Sequence, residues 1–336
     1  ISVTATNLQI GMTAQYSDVK VIEEGVISVN ARKLFEVIKE LPEGEISIVE
    51  KENYWIEITS GKEVKFNIIG LPPEDFPMIF KEKEEEYVPW ETEKILKMLN
   101  LTSFSMSKDE TNLNIHGAFL EKIEGFFTRI VTTDGYRLSI VDEKIEKGFS
   151  LEEGIIIPYK AAVELYKILI EKKDEKNAYI CATKNSFFVR IGEIEFVIRL
   201  IDKKFPDYRV IIPGDGYKKI IIAVEKEKIK ATLKRMSIIS SENNRPVIFS
   251  CKGSHLEIYT EDSDLGNVKE KIELKEKVKE EFKFCINCIY LLDILNAVDE
   301  DIVIEYNAEE ENKPIIVKPE NKKENVKYIV MPMLMD

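Results

Sequence analysis

The order of apolar and polar residues along the chain predicts several helices among many short strands. Apolar residues recur three and four positions apart, the spacing of a buried helix face, in five stretches: 31–41, 90–100, 158–170, 225–240 and 286–298. Apolar and polar residues alternate, as in half-buried strands, at 177–183, 186–191 and 193–201. This mixture indicates an α+β fold class.

The chain also repeats itself. The segments "GVISVNARKLFEVIKELP", "GIIIPYKAAVELYKIL" and "FCINCIYLLDILNAV" each place a helix pattern after a short β-branched run. Val29, Ile157 and Ile286 occupy the same place in them, 128 and 129 residues apart. "LPPEDFP" at 71 and "LIDKKFP" at 200 repeat the 129-residue spacing. A repeat of this length predicts duplicated domains rather than a solenoid.

The repeat predicts three domains, at 1–82, 88–211 and 216–336, each with two helices packed on antiparallel sheets. Charged residues at 81–87 and the Gly- and Pro-containing stretch 211–219 are the predicted linkers. The second and third units open with a helix, whereas the first has only five residues before Thr6, the counterpart of Thr133. We therefore expect the first unit to lack its opening helix and strands.

Length and charge narrow the functional class only slightly. A chain of 336 residues is too long for one ordinary core. It contains no apolar stretch of the roughly 20 residues that a membrane span needs, and it opens with no secretory leader. The net charge of −13 argues against a nucleic-acid partner, unless the 48 Lys and Arg residues are concentrated on one surface.

Residues able to carry catalysis are scarce. Cys285 and Cys288 form a CxxC, which fits either a metal or redox site or small residues filling a core, and no second Cys or His pair accompanies it. His116 and His255 are the only histidines. The chain contains no GxGxxG, P-loop, GxSxG or HExxH motif. We expect no enzyme activity, no cofactor and no metal, and the unpatterned cysteines fit a reducing cytosol.

Four stretches together resemble the bacterial β sliding clamp family, the processivity subunit of DNA polymerase III. They are "GLPPEDFP" (70–77), "TTDGYRLS" (132–139), "RLIDKKFPDYR" (199–209) and "YIVMPM" (328–333). The resemblance implies a DNA-clamp fold in which three domains form a crescent and two crescents form a ring. It also implies a cytoplasmic, nucleoid-associated protein with no membrane partner. The implied partners are duplex DNA held without sequence preference, a second copy of the chain, the replicative polymerase α subunit, the clamp loader and other proteins with clamp-binding motifs.

A ring that slides on DNA needs cations on its inner helices. In 225–240, Ile229, Leu233 and Met236 form an apolar stripe, and lysines four residues apart lie beside it. The predicted DNA-facing residues on four helices are Arg32, Lys33, Lys39, Lys94, Lys97, Lys160, Lys167, Lys226, Lys230, Lys234 and Arg235. The helix at 286–298 has no basic residue, so its share of this face would be neutral.

The resemblance further implies a peptide pocket and a dimer interface. The pocket residues would be Ile115, Thr133, Gly135, Tyr136, Arg137, Leu138, Pro206, Ile211, Ile329, Met331, Pro332 and Met333. The interface residues would be Phe66, Ile68, Ile238 and Ile239. Val210 stands where the family often has Arg, and Asn244 where an aromatic residue can stand, which leaves the fine specificity open. Methionines suit a surface that accepts different ligands, although Met331 and Met333 also fit a buried edge strand.

Two other functions remain open at this stage. An enzyme such as a nuclease or transferase would need convergent carboxylates or a metal site. A clamp-like scaffold that does not close around DNA would fit the shortened first unit. The oligomeric state distinguishes such a scaffold from a ring.

Overall fold

The computed structural model describes residues 1–336 except 62, 78–86, 125–126, 146–153, 215, 217, 241–244, 263–264, 308, 311, 322–324 and 335–336. The predicted linker at 81–87 therefore lies, apart from Tyr87, outside the described residues, as does Asn244.

All five predicted helices are present. They are α1 (Ala31–Glu40), α2 (Thr92–Thr102), α3 (Tyr159–Glu171), α4 (Lys226–Ile239) and α5 (Cys288–Ala297). The predicted start of α5 at residue 286 is wrong by two residues, because the strand before it continues through Asn287. The Asn287 side chain then accepts a hydrogen bond from the Ile289 amide and caps the helix.

Twenty-two strands accompany the helices among the described residues. Those of the first unit are β1 (Ser2–Thr6), β2 (Ile10–Gln15), β3 (Ser28–Val29), β4 (Ile46–Glu50), β5 (Trp55–Ser60) and β6 (Val64–Leu71). Those of the second are β7 (Val88–Glu91), β8 (Gly117–Ile123), β9 (Phe127–Thr133), β10 (Arg137–Lys144), β11 (Ile155–Pro158), β12 (Asn177–Ala182), β13 (Ser186–Ile191) and β14 (Ile194–Arg199). Those of the third are β15 (Lys219–Val224), β16 (Pro246–Lys252), β17 (His255–Asp262), β18 (Gly266–Glu273), β19 (Phe282–Asn287), β20 (Ile302–Asn307), β21 (Ile315–Pro319) and β22 (Asn325–Val330).

Each complete unit consists of two copies of one β-α-β-β-β motif. In the second unit these are β7-α2-β8-β9-β10 and β11-α3-β12-β13-β14, and β15 to β22 with α4 and α5 repeat the order. The first unit has β1, β2 and then β3-α1-β4-β5-β6, with no counterpart of β7, α2 and β8 among its described residues. Its apolar surface is correspondingly open, with Phe35 on α1 67% exposed and Ile48 on β4 49% exposed.

The sheets run across the boundaries between units. All their strands pair antiparallel, in the orders β1-β2-β14-β13-β12-β7, β11-β8-β9-β10-β22-β21-β20-β15, β18-β17-β16-β19 and β3-β6-β5-β4. The pair β2–β14 therefore joins the first unit to the second, and β10–β22 joins the second to the third. At each of these two junctions the last strand of one motif pairs with the last strand of a motif from the neighbouring unit.

Helices α2, α3, α4 and α5 form a connected row against these sheets. The predicted stripe of Ile229, Leu233 and Met236 is fully buried. The Tyr166 hydroxyl of α3 donates to the Asn100 side chain of α2 at 3.0 Å, and the Asn100 amide donates to the Ala297 carbonyl of α5 at 3.3 Å. The row thus continues from the second unit into the third.

We predict that the aromatic stack in the third unit is a principal source of its stability. Phe249 is fully buried and stacks on Phe284 at 5.0 Å. Phe249→Ala should lower the free energy of unfolding by about 3–5 kcal/mol, because it removes buried surface and leaves a cavity. Phe35→Ala, at a side chain that is 67% exposed, should cost less than about 0.5 kcal/mol. Urea unfolding monitored by circular dichroism tests this, and equal losses in the two variants would contradict it.

Candidate functional site

A tight turn at the end of β9 shapes the predicted pocket. The Thr133 hydroxyl donates to the Arg137 carbonyl at 2.6 Å and accepts from the Gly135 amide at 3.0 Å. The Asp134 carboxylate accepts from the amides of Tyr136 and Arg137. Gly135 has φ +93°, a conformation that favours glycine. The turn leaves the Tyr136 side chain 65% exposed at the junction between the second and third units.

The C-terminal segment joins this turn to the third unit. Leu138 of β10 pairs with Ile329 of β22. Beyond β22, the Met331 amide donates to the Tyr136 carbonyl at 2.9 Å, and the Met333 amide donates to the Cys285 carbonyl at 2.8 Å. The backbone of the terminal segment is thus fixed to both units, while the Met331 side chain stays 37% exposed.

Near the turn and the C-terminal segment lies a small cluster of apolar side chains, separate from the main core. Of the predicted pocket residues, Ile115, Leu138 and Ile329 belong to it and are buried. Residues that the sequence analysis did not assign complete the cluster: Val131, Ile140, Ile156, Phe205 and Tyr208, with Phe119, Ile201 and Ile212 at its edge. The alternation of apolar and polar residues in these strands is visible in the sequence. The pairing of one strand with another is not.

The remaining predicted pocket residues, apart from Arg137, lie in the turn, between residues 206 and 211 and in the C-terminal segment. Thr133 is buried in the turn, and Gly135 is exposed there. Pro206 and Ile211 are exposed on the segment that crosses the cluster, with Val210 beside them 78% exposed. Pro332 and Met333 are half-buried. The floor of the site is therefore buried and apolar, and its rim is exposed and largely apolar.

Arg137 lies on the opposite side of β10 from Leu138. Its guanidinium donates to Asp293 at 2.6 Å and to the Phe104 carbonyl at 2.7 Å, and it lies 4.7 Å from the ring centre of Tyr290. Asp293 and Tyr290 are on α5. Arg137 therefore ties the turn of the second unit to a helix of the third.

A polar network covers one side of the apolar cluster. Arg129 holds Asp142 through two bonds of 2.6 and 2.7 Å and donates to the Tyr208 hydroxyl at 3.0 Å. Tyr208 donates to Glu121, which also receives two bonds from Arg209 at 2.8 and 2.7 Å. Burial raises the pKa of Tyr208 to about 12, and the hydrogen bonds that Arg129 donates to Asp142 raise the pKa of Arg129.

The junction between the first and second units repeats the turn without the apolar floor. The Thr6 hydroxyl bonds the Ile10 carbonyl and the Leu8 amide, and Asn7 accepts from the amides of Gln9 and Ile10. At the positions of Leu138 and Ile329, however, this junction has Gly11 and Val197. The same backbone therefore provides a deep apolar surface at one junction only.

The predicted DNA-facing residues all lie on α1 to α4. Most make surface ion pairs, such as Lys160 with Glu110 and Lys167 with Glu164, both at 2.8 Å. Others of this kind are Lys33, Lys94, Lys97, Lys226 and Arg235. Among the described residues no ion pair is made by Arg32, Lys39, Lys230 and Lys234. The pairs of Lys33, Lys160 and Lys167 are exposed and individually weak, so phosphates could replace their carboxylates.

The predicted interface residues lie at two separate places. Phe66, 36% exposed, and the half-buried Ile68 are on β6. Ile238 and Ile239 end α4, where Ile238 is 74% exposed. Arg235 reaches from α4 to Glu270 on β18 with bonds of 2.5 and 2.6 Å.

The four cysteines are buried, whereas of the two histidines His116 is buried and His255 is exposed. Burial raises the pKa of Cys251 to about 11 and also raises the pKa values of Cys285 and Cys288, which disfavours the thiolates that a metal or redox site needs. His116 is buried, with Nδ1 2.9 Å from the Ser107 carbonyl. In the part of the chain that the structure describes, no group of three or more His, Cys, Asp and Glu side chains could hold a metal ion. No helix in that part is long and apolar enough to cross a membrane.

Comparison with known proteins identifies the family. Models of three consecutive domains of the DNA polymerase III beta subunit match residues 1–80 (N-terminal domain), 90–207 (central domain) and 209–334 (C-terminal domain). The chain belongs to the DNA polymerase III beta subunit family. It is 31% identical over 352 residues to the beta sliding clamp of Rickettsia bellii and 28% identical over 335 residues to that of Escherichia coli K12, covering 99% of this chain and 88% of each relative.

Solved structures from the beta subunit family agree over the whole chain. The DNA polymerase III subunit beta of Pseudomonas aeruginosa matches with a TM-score of 0.90 at 25% identity, covering 99% of this chain and 89% of that one. The sliding clamp of Bartonella birtlesii, solved bound to griselimycin, matches with a TM-score of 0.91 at 27% identity, covering 99% and 88%. The predicted DNA-clamp fold is confirmed.

Membership of the beta subunit family settles the class of function. The protein is a sliding clamp, a non-catalytic processivity subunit of DNA polymerase III. The enzyme alternative is therefore excluded by kinship.

We predict an alkaline signature of the polar network. The pKa of Tyr208 rises from 10.0 to about 12 in the fold, so the neutral phenol stabilises the native state below pH ~10. This stabilisation, about 3 kcal/mol, should be lost as the pH rises from about 10 to 12. The stability difference between wild type and Tyr208→Phe should shrink over that range, because the variant has no phenol to titrate. Urea unfolding at several pH values measures it, and a pH-independent difference for Tyr208→Phe would contradict it.

Proposed function

We propose that two copies of the chain close head to tail into a ring around duplex DNA. We further propose that the pocket between the second and third units receives short peptides from partner proteins. In this proposal the units 1–82, 88–211 and 216–336 act as domains, and the ring contains six of them. The observation that supports this proposal is the strand pairing at the two internal junctions, where the last strand of one β-α-β-β-β motif pairs with the last strand of another. This pairing leaves two such last strands without a partner, one in the first unit and one in the third.

The unused strands are β18 and β6. β18 is the outermost strand of its sheet, and β6 is paired on its other side only at Gly70 and Leu71 with the short β3. Pairing β18 of one copy with β6 of another would repeat the internal junctions at both ends of the crescent. A heterologous contact of this kind closes when two copies complete the circle.

Apolar side chains near both strands support this interface. Phe66 and Ile69 are exposed on β6, the latter 64%, and Ile238 is exposed at the end of α4. Ion-paired Arg235 and Glu270 lie beside Ile238 on α4 and β18. Exposed apolar groups at free strand edges otherwise promote aggregation, so a defined interface is their simplest use.

Replacing Ile238 by Asp should convert the dimer to monomer. A buried carboxylate facing Phe66 would be uncompensated, and we expect the dimer dissociation constant to rise at least about thirtyfold. Ile170→Asp, at an isoleucine 46% exposed near the end of α3, is the matched control and should remain dimeric. Sedimentation velocity over a concentration series provides the measurement. A monomeric wild type would favour the alternative of a clamp-like scaffold that does not close around DNA.

The helix row together with α1 would form the inner, DNA-facing wall. Its unpaired cations, Arg32, Lys39, Lys230 and Lys234, and its exposed ion pairs can contact phosphates without reading bases. α5, which has no Lys or Arg, would contribute a neutral stretch. The net charge of −13 then resides elsewhere and discourages DNA from binding outside the ring.

The pocket between the second and third units has the features of a peptide-binding surface. A buried floor of Leu138 and Ile329 can accept apolar anchors, and Met331 and Met333 can adjust to different side chains. The proposed occupants are segments of the replicative polymerase α subunit, the clamp loader and other proteins with clamp-binding motifs. The proposed location is the cytoplasm, on nucleoid DNA.

Shortening one wall of the pocket should weaken peptide binding. We expect Met333→Ala to cost about 1–2 kcal/mol of peptide affinity, since an anchor loses its contact, and deletion of 331–336 to remove nearly all binding. Leu8→Ala, in the repeated turn that lacks the apolar floor, should change nothing. Fluorescence anisotropy with a labelled polymerase α-subunit peptide measures affinity, and sedimentation checks that the dimer survives. Unchanged affinity after the deletion would return the terminal segment to the role of a buried edge strand.

A further inference from the structure

One segment of the second unit crosses the outer side of its sheet without joining it. Residues 205–211 follow β14 in the chain, contact side chains of β8 and β9 through Phe205 and Tyr208, and lead to the third unit. The segment carries Pro206 and Ile211, both assigned above to the pocket rim. Its last part, Tyr208–Ile211, is a single turn of 3-10 helix whose start is fixed by Asp207, which accepts from the Arg209 amide.

Two kinds of contact hold this segment down. The Phe205 ring stacks on Phe119 of β8, with centres 4.7 Å apart and planes 8° apart. Tyr208 inserts its hydroxyl between Arg129 and Glu121, side chains of β9 and β8. The aromatic contact is apolar and adaptable, whereas the polar contact has directional bonds and fixes one position.

Glu121 depends on this segment for its hydrogen bonds. It is 9% exposed, and among the described residues its three side-chain bonds come from Tyr208 and Arg209. If the segment lifted, Glu121 would lose these three bonds, and Arg129, which lies opposite it on β9, is already bonded to Asp142. These charge-assisted bonds therefore favour the closed position of the segment.

The third unit shows what the same sheet face looks like without such a segment. Glu257 on β17 faces away from the helices and is bound by Lys269 at 2.7 Å and Lys271 at 3.0 Å. Both lysines come from the adjacent β18. A carboxylate on this face can therefore be satisfied within the sheet, and in the second unit it is instead satisfied by the covering segment.

We propose that Glu121 and Tyr208 are positioning residues for the peptide pocket. They fix the position of the turn 208–211 on the sheet, so that Ile211 and Pro206 form one wall of the pocket. The inference rests on the proposed function of the pocket and adds to it the group that sets the wall. The wall is thereby fixed before a peptide arrives, which reduces the ordering cost of binding.

The test compares carboxylates on corresponding faces of two units. Glu121→Ala should weaken a labelled polymerase α-subunit peptide by about tenfold, and Glu121→Gln, which keeps an acceptor, by about threefold. Tyr208→Phe should also weaken it about threefold. Glu257→Ala breaks two ion pairs in the third unit and should leave the affinity unchanged. Hydrogen exchange should increase at 205–212 in Glu121→Ala and not in Glu257→Ala.

The two readouts separate the possible failures. A wild type that binds no peptide overturns the proposed pocket, and the exchange data then still decide whether Glu121 fixes the segment. Faster exchange at 205–212 with peptide affinity within about twofold of wild type would overturn the positioning role. Unchanged exchange in Glu121→Ala and in Tyr208→Phe would show that the network does not hold the segment, and would overturn it as well.

Discussion

Backbone pairing between neighbouring units determines how the other elements of the fold are placed. At each internal junction the last strand of one β-α-β-β-β motif pairs with the last strand of another. Six residue pairs from Arg137–Val330 to Asp142–Asn325 align β10 with β22, and five pairs align β14 with β2. These ladders satisfy strand edges that would otherwise be open to other chains. They also bring Leu138 and Ile329 side by side and place Arg137 within reach of Asp293. The pocket floor and the helix row both follow from that register.

The two internal junctions show that the fold alone does not create the pocket. Thr6–Asn7 and Thr133–Asp134 build the same turn with the same hydrogen bonds. Only the second turn stands beside a large apolar pair, because Gly11 replaces Leu138 at the first. A duplicated architecture thus differs between its two junctions in side chains on one face, and the proposed peptide binding depends on those side chains rather than on the fold alone.

Local sequence patterns predicted the helices and strands well, but they could not predict contacts between residues far apart in the sequence. The stripe at Ile229 gave α4 because helix periodicity depends on neighbours within the same segment. The 129-residue spacing revealed the repeated motif. The resemblance supplied Leu138 and Ile329, which lie 191 positions apart in the sequence. Neither route found the Glu121–Tyr208–Arg129 network, because its members are separated by up to 87 residues, nor the fact that Arg137 faces α5.

Release of the protein when its DNA is cut would show whether it holds DNA by encircling it. The protein would be loaded by its clamp loader and ATP onto a circular duplex, washed at high salt to remove electrostatic binding, and then followed as the circle is cut once. If the protein encircles DNA, it should stay on the circle and leave the linear molecule at least about tenfold faster, since an open end lets a ring slide off. Equal retention of the protein before and after the cut would show surface binding instead of encirclement.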